Sequence, residues 1–160
     1  MRKALFLDRD GVLNRERGDY TFSIEEFEVL PDVAESLTIA KQKGYLLIVI
    51  SNQGGVSKRI FTQERVEVLH RMLCDELAAH DVTFDEVYYC THHDEVGKCI
   101  CRKPNSGMLE KAIARFGIDP NTSVMIGDSQ RDVVAAAKVG VRGVLIPSNS
   151  GILKIVESLP

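Results

Sequence analysis

The chain has 160 residues, of which 44% are apolar and 27% are charged, a balance typical of a globular protein and unlike disordered or collagen-like chains. Its 20 basic and 23 acidic residues give a formal net charge of −3, which argues against nucleic acid as the main ligand. We expect one domain over residues 1–160, in the cytoplasm, because no apolar run is long enough for a membrane span or a signal peptide.

Strand-like and helix-like segments alternate along the chain. Short apolar runs, several of them rich in β-branched residues, predict strands at 3–8, 45–51, 85–90, 123–126 and 141–146. Apolar positions that recur every three or four residues predict helices at 31–43, 62–79, 106–116, 132–139 and 152–158. Such alternation predicts a doubly wound α/β fold, in which helices cover both faces of a mainly parallel sheet.

Polar residues stand where the predicted strands end. Asp8 and Asp10 follow the first strand, Ser51 and Asn52 lie at the end of the second, and Asp128 follows the fourth. Ligands of open parallel sheets bind beyond the carboxyl ends of the strands, so we expect these side chains to share one edge. Carboxylates that converge need a cation between them, and oxygen ligands suit Mg²⁺.

A phosphate is the anion that this predicted edge suits best. The loop after the second strand offers hydroxyl and backbone N–H donors, and Lys103 precedes the helix that follows the third strand. A carboxylate nucleophile, a cation and a phosphate cradle together suggest phosphoryl transfer through an aspartyl-phosphate.

The cysteines are unevenly spaced. Cys74 lies alone in a helical pattern, where we expect a buried, inert thiol. The other three cysteines fall within twelve residues of one another, together with His92 and His93. In a chain without an export signal such a cluster favours a metal over disulfides. Four ligands leave no open position, so we predict a structural zinc site, formed by Cys90, His92, Cys99 and Cys101.

These motifs carry a family resemblance. Residues 8–14 resemble the first motif of the haloacid dehalogenase (HAD) superfamily of phosphatases, and Ser51, Lys103 and Asp128 match its second, third and fourth motifs in order. Within that superfamily, residues 51–55, 89–93 and 99–104 resemble the heptose bisphosphate and histidinol-phosphate phosphatases. The resemblance runs from residue 4 to about residue 147.

The resemblance implies a role for each matching residue. Asp8 would be the nucleophile and a Mg²⁺ ligand, and Asp10 the general acid and base, with its backbone carbonyl on the metal. Asp128 would be the other Mg²⁺ ligand. The transferring phosphoryl group and the substrate would contact the remaining matches, which are Ser51, Asn52, Arg102 and Lys103. The chain departs from the pattern at Ser129, where heptose enzymes often carry a lysine.

The resemblance implies D-glycero-D-manno-heptose 1,7-bisphosphate as the preferred substrate, which would lose its 7-phosphate. Arginines 15, 17 and 102 could receive its second phosphate. Histidinol phosphate is the alternative, and its cation would favour Glu16 or Asp19. A phosphotransferase and a non-catalytic, zinc-stabilised binding module also stay open. We expect a monomer that acts on a small phosphorylated metabolite without a nucleic-acid or membrane partner.

The sequence also predicts the local structure around the site. Residues 11–27 are predicted to form a hairpin that shades an open site, since no insert is large enough for a cap domain. Asp132 is either a carboxylate behind the metal ligands or, the interpretation we favour, an acidic residue in the first turn of a helix. The resemblance selects His92 as the zinc ligand, so His93 is expected at the surface or beside the zinc ligands. His70 is expected in solvent.

Overall fold

The computed structural model describes all residues from 1 to 160 and contains one five-stranded parallel sheet. The strands are β1 (Lys3–Leu7), β2 (Tyr45–Asn52), β3 (Glu86–Cys90), β4 (Val124–Gly127) and β5 (Arg142–Leu145). Their spatial order is β3-β2-β1-β4-β5, and every neighbouring pair is parallel. The predicted doubly wound α/β fold is therefore confirmed, with β1 in the centre.

Helices cover both faces of the sheet. They are α1 (Val33–Gln42), α2 (Gln63–Ala78), α3 (Gly107–Phe116), α4 (Gln130–Lys138) and α5 (Leu153–Ser158), with a short 3₁₀ turn at Pro120–Thr122. Successive β1 side chains point to opposite faces, as the strand period requires. Leu5 and Leu7 pack in a core with α1, α2 and α5, whereas Ala4 and Phe6 pack in a second core with α3 and α4.

The pairing of β1 fixes the edge of the sheet at which the predicted site residues meet. Leu7 is level with Val49 of β2 and with Ile126 of β4, and β2 continues for three more residues to Asn52, so the carboxyl ends of the three strands lie at the same edge. The backbone N–H of Asp8 donates to the carbonyl of Ile126 at 3.0 Å, which extends the pairing one residue beyond the strand. The segments that follow these strands consequently meet at one edge of the sheet.

Asp32 joins the start of α1 to the start of α5. Its Oδ2 accepts hydrogen bonds from the backbone N–H groups of Ile152 at 2.6 Å and Leu153 at 2.9 Å. We expect Asp32→Ala to lower the free energy of unfolding by about 1 kcal/mol, the usual cost of a lost helix cap. Urea unfolding measures this loss. Glu76→Ala, at an exposed and unpaired site on α2, is the control, and equal midpoints for the two variants would contradict the assignment.

Three local expectations were wrong. His70 is buried, because α2 turns its ring against the Tyr89 ring, with the two ring centroids 5.1 Å apart. This burial, together with the nearby Arg9 charge, lowers the pKa of His70 to about 3. Cys74 is only half-buried. Residues 11–27 form turns and isolated bridges rather than a hairpin of strands.

None of the helices combines the length and the apolar character that a bilayer crossing needs.

Candidate active site

A polar cleft of about 530 Å³ opens beyond the carboxyl ends of the strands. Its floor carries Asp8, Asp10 and Lys103. Three walls surround the floor: a loop at residues 16–21, the segment that ends at Arg102, and the start of α4. Only one of the 16 lining residues is hydrophobic, so the cleft suits a charged or hydroxyl-rich ligand rather than an apolar one.

Lys103 is the buried cation of the floor. Its Nζ donates to Asp8 Oδ1 at 2.9 Å, to the carbonyl of Ile50 at 2.6 Å, and to Asp132 Oδ1 at 2.7 Å. Burial alone would lower the pKa of Lys103, but the two carboxylates outweigh it and raise that pKa. Lys103 is therefore an ammonium ion fixed beside Asp8, where it offsets negative charge.

Asp132 combines both roles considered from the sequence. It lies in the first turn of α4, where its Oδ2 accepts the backbone N–H of Ser129 at 3.0 Å. Its other oxygen binds Lys103, and its side chain is 1% exposed. The helix-terminus interpretation was thus incomplete, because this carboxylate also holds the lysine that faces Asp8.

Asp8 lies directly after β1 with one carboxylate oxygen engaged. Its Oδ1 accepts hydrogen bonds from Lys103 Nζ and from the backbone N–H of Arg9, both at 2.9 Å. Burial raises the pKa of Asp8 to about 7, Lys103 opposes this rise, and Asp132 and Asp10 add to it. The Oδ2 atom accepts no hydrogen bond from the protein and is free for chemistry or for a metal.

Asp10 is held by four donated hydrogen bonds. Arg9, which has no exposed surface, donates from Nε at 3.2 Å and from Nη2 at 2.8 Å to Asp10 Oδ1. Asn14 donates to the same oxygen at 2.9 Å, and Gln53 donates to Oδ2 at 3.0 Å. Burial raises the pKa of Asp10, but the Arg9 charge and these bonds outweigh it and leave the pKa below its usual value.

The two residues at the end of β2 are turned toward the protein. Ser51 is completely buried, and its Oγ lies 2.8 Å from Gln53 Nε2 rather than on the cleft wall. Asn52 lines the cleft, but its side chain forms a reciprocal pair with the backbone of Lys103, with both distances at 3.0 Å. Asn52 therefore positions Lys103, and Gln53 links Ser51 to Asp10.

Asp128 closes the floor on the β4 side. Carboxylate oxygens of Asp8, Asp128 and Asp132 lie within 4.8 Å of one another, and Ser148 donates to Asp128. Gly11 has a φ of +83°, and a Cβ there would lie 2.0 Å from Asp128 Oδ2, so only glycine fits. Both oxygens of Asp132 are engaged, one by Lys103 and the other by the Ser129 N–H, whereas Oδ2 of Asp8 accepts no hydrogen bond from the protein. Asp8 and Asp128 are therefore the carboxylates left for a divalent cation.

The predicted zinc ligands converge beside the cleft. Donor atoms of Cys90, His92, Cys99 and Cys101 all lie within 4.8 Å of one another. The Cys90 and Cys101 sulfurs are 3.0 Å apart, and His92 Nδ1 is 3.3 Å from the Cys101 sulfur. Four soft or borderline donors at this spacing fit a tetrahedral Zn²⁺ and leave no position for a substrate.

Arg102 joins this cluster to the cleft. Its backbone N–H donates to the Cys99 sulfur at 3.3 Å, and its Nη1 donates to the carbonyl of His92 at 3.2 Å. The guanidinium also lies 3.8 Å from Asp94, and a Cβ at Gly54 would press against it at 2.7 Å. The cluster therefore sets the position of a cation in the cleft wall, and His93 lines the same wall.

Two arginines that were expected to bind the second phosphate lie outside the cleft. Arg15 and Arg17 do not line the cleft, because both pair with Glu28, at 2.8 and 3.1 Å. Sequence reasoning also missed four residues of the site: Arg9, Gln53, Arg131 and Ser148. Arg9 stands between the two aspartates, yet nothing in the sequence shows that it turns inward.

The chain is similar in sequence to known HAD-like hydrolases and phosphatases. The HAD-hydrolase-like family profile matches residues 100–153. The D-glycero-beta-D-manno-heptose-1,7-bisphosphate 7-phosphatase of Pasteurella multocida is 40% identical over 152 residues, which cover 91% of this chain and 82% of that protein. The enzyme of the same name from Escherichia coli K12 is 38% identical over 144 residues, covering 86% and 75%.

A solved structure matches the whole fold. D,D-heptose 1,7-bisphosphate phosphatase from B. bronchiseptica, complexed with magnesium and phosphate, superposes with a TM-score of 0.85 at 28% identity, covering 99% of this chain and 88% of that one. Fold and site together define a HAD-type phosphatase, a class of enzymes that use Mg²⁺. The chain belongs to the heptose bisphosphate phosphatase family within that superfamily.

Proposed function

We propose that the chain, as a cytoplasmic monomer with one domain over residues 1–160, removes the 7-phosphate of D-glycero-D-manno-heptose 1,7-bisphosphate. The observation that carries the chemistry is Asp8, fixed by Lys103 at 2.9 Å on the floor of an open polar cleft. The names of the relatives support the substrate, and the absence of a cap domain leaves room for a sugar.

The first step forms an aspartyl-phosphate. Oδ2 of Asp8 attacks phosphorus while the bond from phosphorus to the sugar oxygen breaks, and the departing alkoxide takes a proton from Asp10. Lys103 offsets the charge on the transferring group, as electrostatic catalysis of phosphoryl transfer requires. Ser51 would contribute to the same cradle if its hydroxyl turned from Gln53.

The second step releases phosphate. Water attacks phosphorus and gives its proton to Asp10, and the bond to Asp8 breaks to restore the carboxylate. The lowered pKa of Asp10 keeps its carboxyl group ionised, so it can accept this proton. In the first step Asp10 must instead carry a proton, a state that the negative charge of a bound phosphate favours.

The residues present fit both metals. Asp8, Asp128 and the backbone carbonyl of Asp10 would hold Mg²⁺, which would neutralise charge on the phosphate oxygens. The cluster of Cys90, His92, Cys99 and Cys101 would hold a structural Zn²⁺.

Binding of Mg²⁺ should depend on pH, because Asp8 must lose its proton first. With the pKa of Asp8 raised to about 7, the affinity should rise roughly tenfold per pH unit below pH 7 and level off above it. Calorimetric titration between pH 5.5 and 8 measures this slope. Asp128→Asn should weaken binding at every pH without moving the bend, whereas a flat wild-type profile would contradict the raised pKa.

Histidinol phosphate is a second candidate with an observation in its favour. Glu16 and Asp19 line the cleft, whereas Arg15 and Arg17 do not, so part of the wall suits a cation. A phosphate-release screen over both heptose anomers of the bisphosphate, histidinol phosphate and other sugar phosphates decides between them. A higher kcat/KM for histidinol phosphate would replace the heptose assignment.

A further inference from the structure

Arg131 is a cleft residue to which neither the motifs nor the mechanism assigns a task. It is the second residue of α4, it is exposed, and it lines the cleft beside Ser129 and Ser148. The start of a helix disfavours a positive side chain. No carboxylate lies within 4.0 Å of its guanidinium, so nothing in the protein compensates for this placement.

The other two basic side chains of the cleft are already engaged. Lys103 binds Asp8 and Asp132, and the Arg102 guanidinium donates to the His92 carbonyl near Asp94. Arg131 is thus the arginine of the cleft whose donors are all free for a ligand. A planar guanidinium with free donors matches two oxygens of a phosphate.

The charges of the cleft walls also favour the α4 side for an anion. Glu16 and Asp19 line the wall formed by residues 16–21, and both would repel a second phosphate. Asp8 and Asp128 face the reacting end of the substrate on the floor. A bisphosphate held at Asp8 would therefore place its distant phosphate away from the 16–21 wall.

We propose that Arg131 binds the non-reacting phosphate of a sugar bisphosphate and so determines selectivity for bisphosphates over monophosphates. The inference rests on the proposed function and adds a residue that recognises the second phosphate. Arg131 does not share the roles of Lys103 or Asp8, because it takes no part in making or breaking bonds.

Equilibrium binding in an inactive background tests the proposal. In Asp8→Asn protein with Mg²⁺, calorimetry compares heptose 1,7-bisphosphate with heptose 7-phosphate, before and after Arg131→Gln. Loss of a hydrogen bond between charged groups should lower the bisphosphate affinity at least about tenfold. Affinity for heptose 7-phosphate should fall less than about threefold, because that ligand lacks the second phosphate that Arg131 would bind.

Two further variants test the role of the charge and provide a control. Arg131→Lys keeps the charge and should recover a large part of the bisphosphate affinity. Arg71→Gln, at an exposed and unpaired arginine of α2, should change neither affinity. Equal losses for both ligands, or no loss for either, would overturn the role of Arg131. A separate assay tests the proposed function: wild-type enzyme that released no phosphate from the heptose bisphosphate would contradict that function.

Discussion

Asp8→Asn should reduce turnover by a factor on the order of 10⁴ or more, because an amide oxygen is not a competent nucleophile toward phosphorus. The fold should survive, since asparagine has the same shape and its carbonyl oxygen can still accept from Lys103. Phosphate release under saturating substrate measures the loss, and circular dichroism checks the fold. Wild-type turnover by this variant would refute the aspartyl-phosphate mechanism.

Asp10→Asn is the matched comparison for that variant. It removes the acid and base but keeps the nucleophile, so slow formation of the phosphoenzyme should persist. In wild-type protein, beryllium trifluoride should bind against Asp8, as a mimic of the aspartyl-phosphate. Identical kinetics for the two variants would mean that the two aspartates do not have separate roles.

Loss of zinc should affect stability and activity together. We expect about one zinc per chain in purified protein, and Cys99→Ser should lower stability by more than about 3 kcal/mol, since structural zinc sites carry on the order of 10 kcal/mol of binding free energy. Activity should fall as well, because Arg102 and Lys103 directly follow Cys101 and lose their anchor.

The chain supplies a control for this experiment. Cys74→Ser changes a half-buried cysteine of α2 that is not part of the cluster, and it should leave the zinc content unchanged. Hydrogen exchange should show the largest loss of protection at residues 91–103 after chelation, with the sheet less affected. Protein grown with zinc but purified without any would contradict the assignment.

The sequence predicted the fold because each local signal agreed with the architecture. The β-branched run at β2 and the glycines after α1, α3 and α4 mark element ends directly, and Gly44, Gly117 and Gly140 all adopt positive φ. The positions of Asp8, Asp128 and Lys103 followed from strand order, since parallel strands end at one edge.

Side-chain direction in irregular segments was not predictable in this way. Arg15 and Arg17 turn toward Glu28, which lies eleven or more residues along the chain, so their pairing depends on how residues 11–27 fold back. The burial of His70 and of Arg9 depends on long-range packing. A pattern of residue types locates a loop at the site, but it does not decide which of its charges face the substrate.

The central position of β1 has a consequence for synthesis of the protein on the ribosome. The strand that leads to Asp8 is made first and can pair with β2 early, but its other partner, β4, begins 117 residues after β1 ends. At about 5–20 residues per second, the open edge of β1 waits roughly 6 to 23 seconds for that partner. Unpaired edges invite association with other chains. The nascent enzyme is therefore most vulnerable to aggregation just before its active site can assemble.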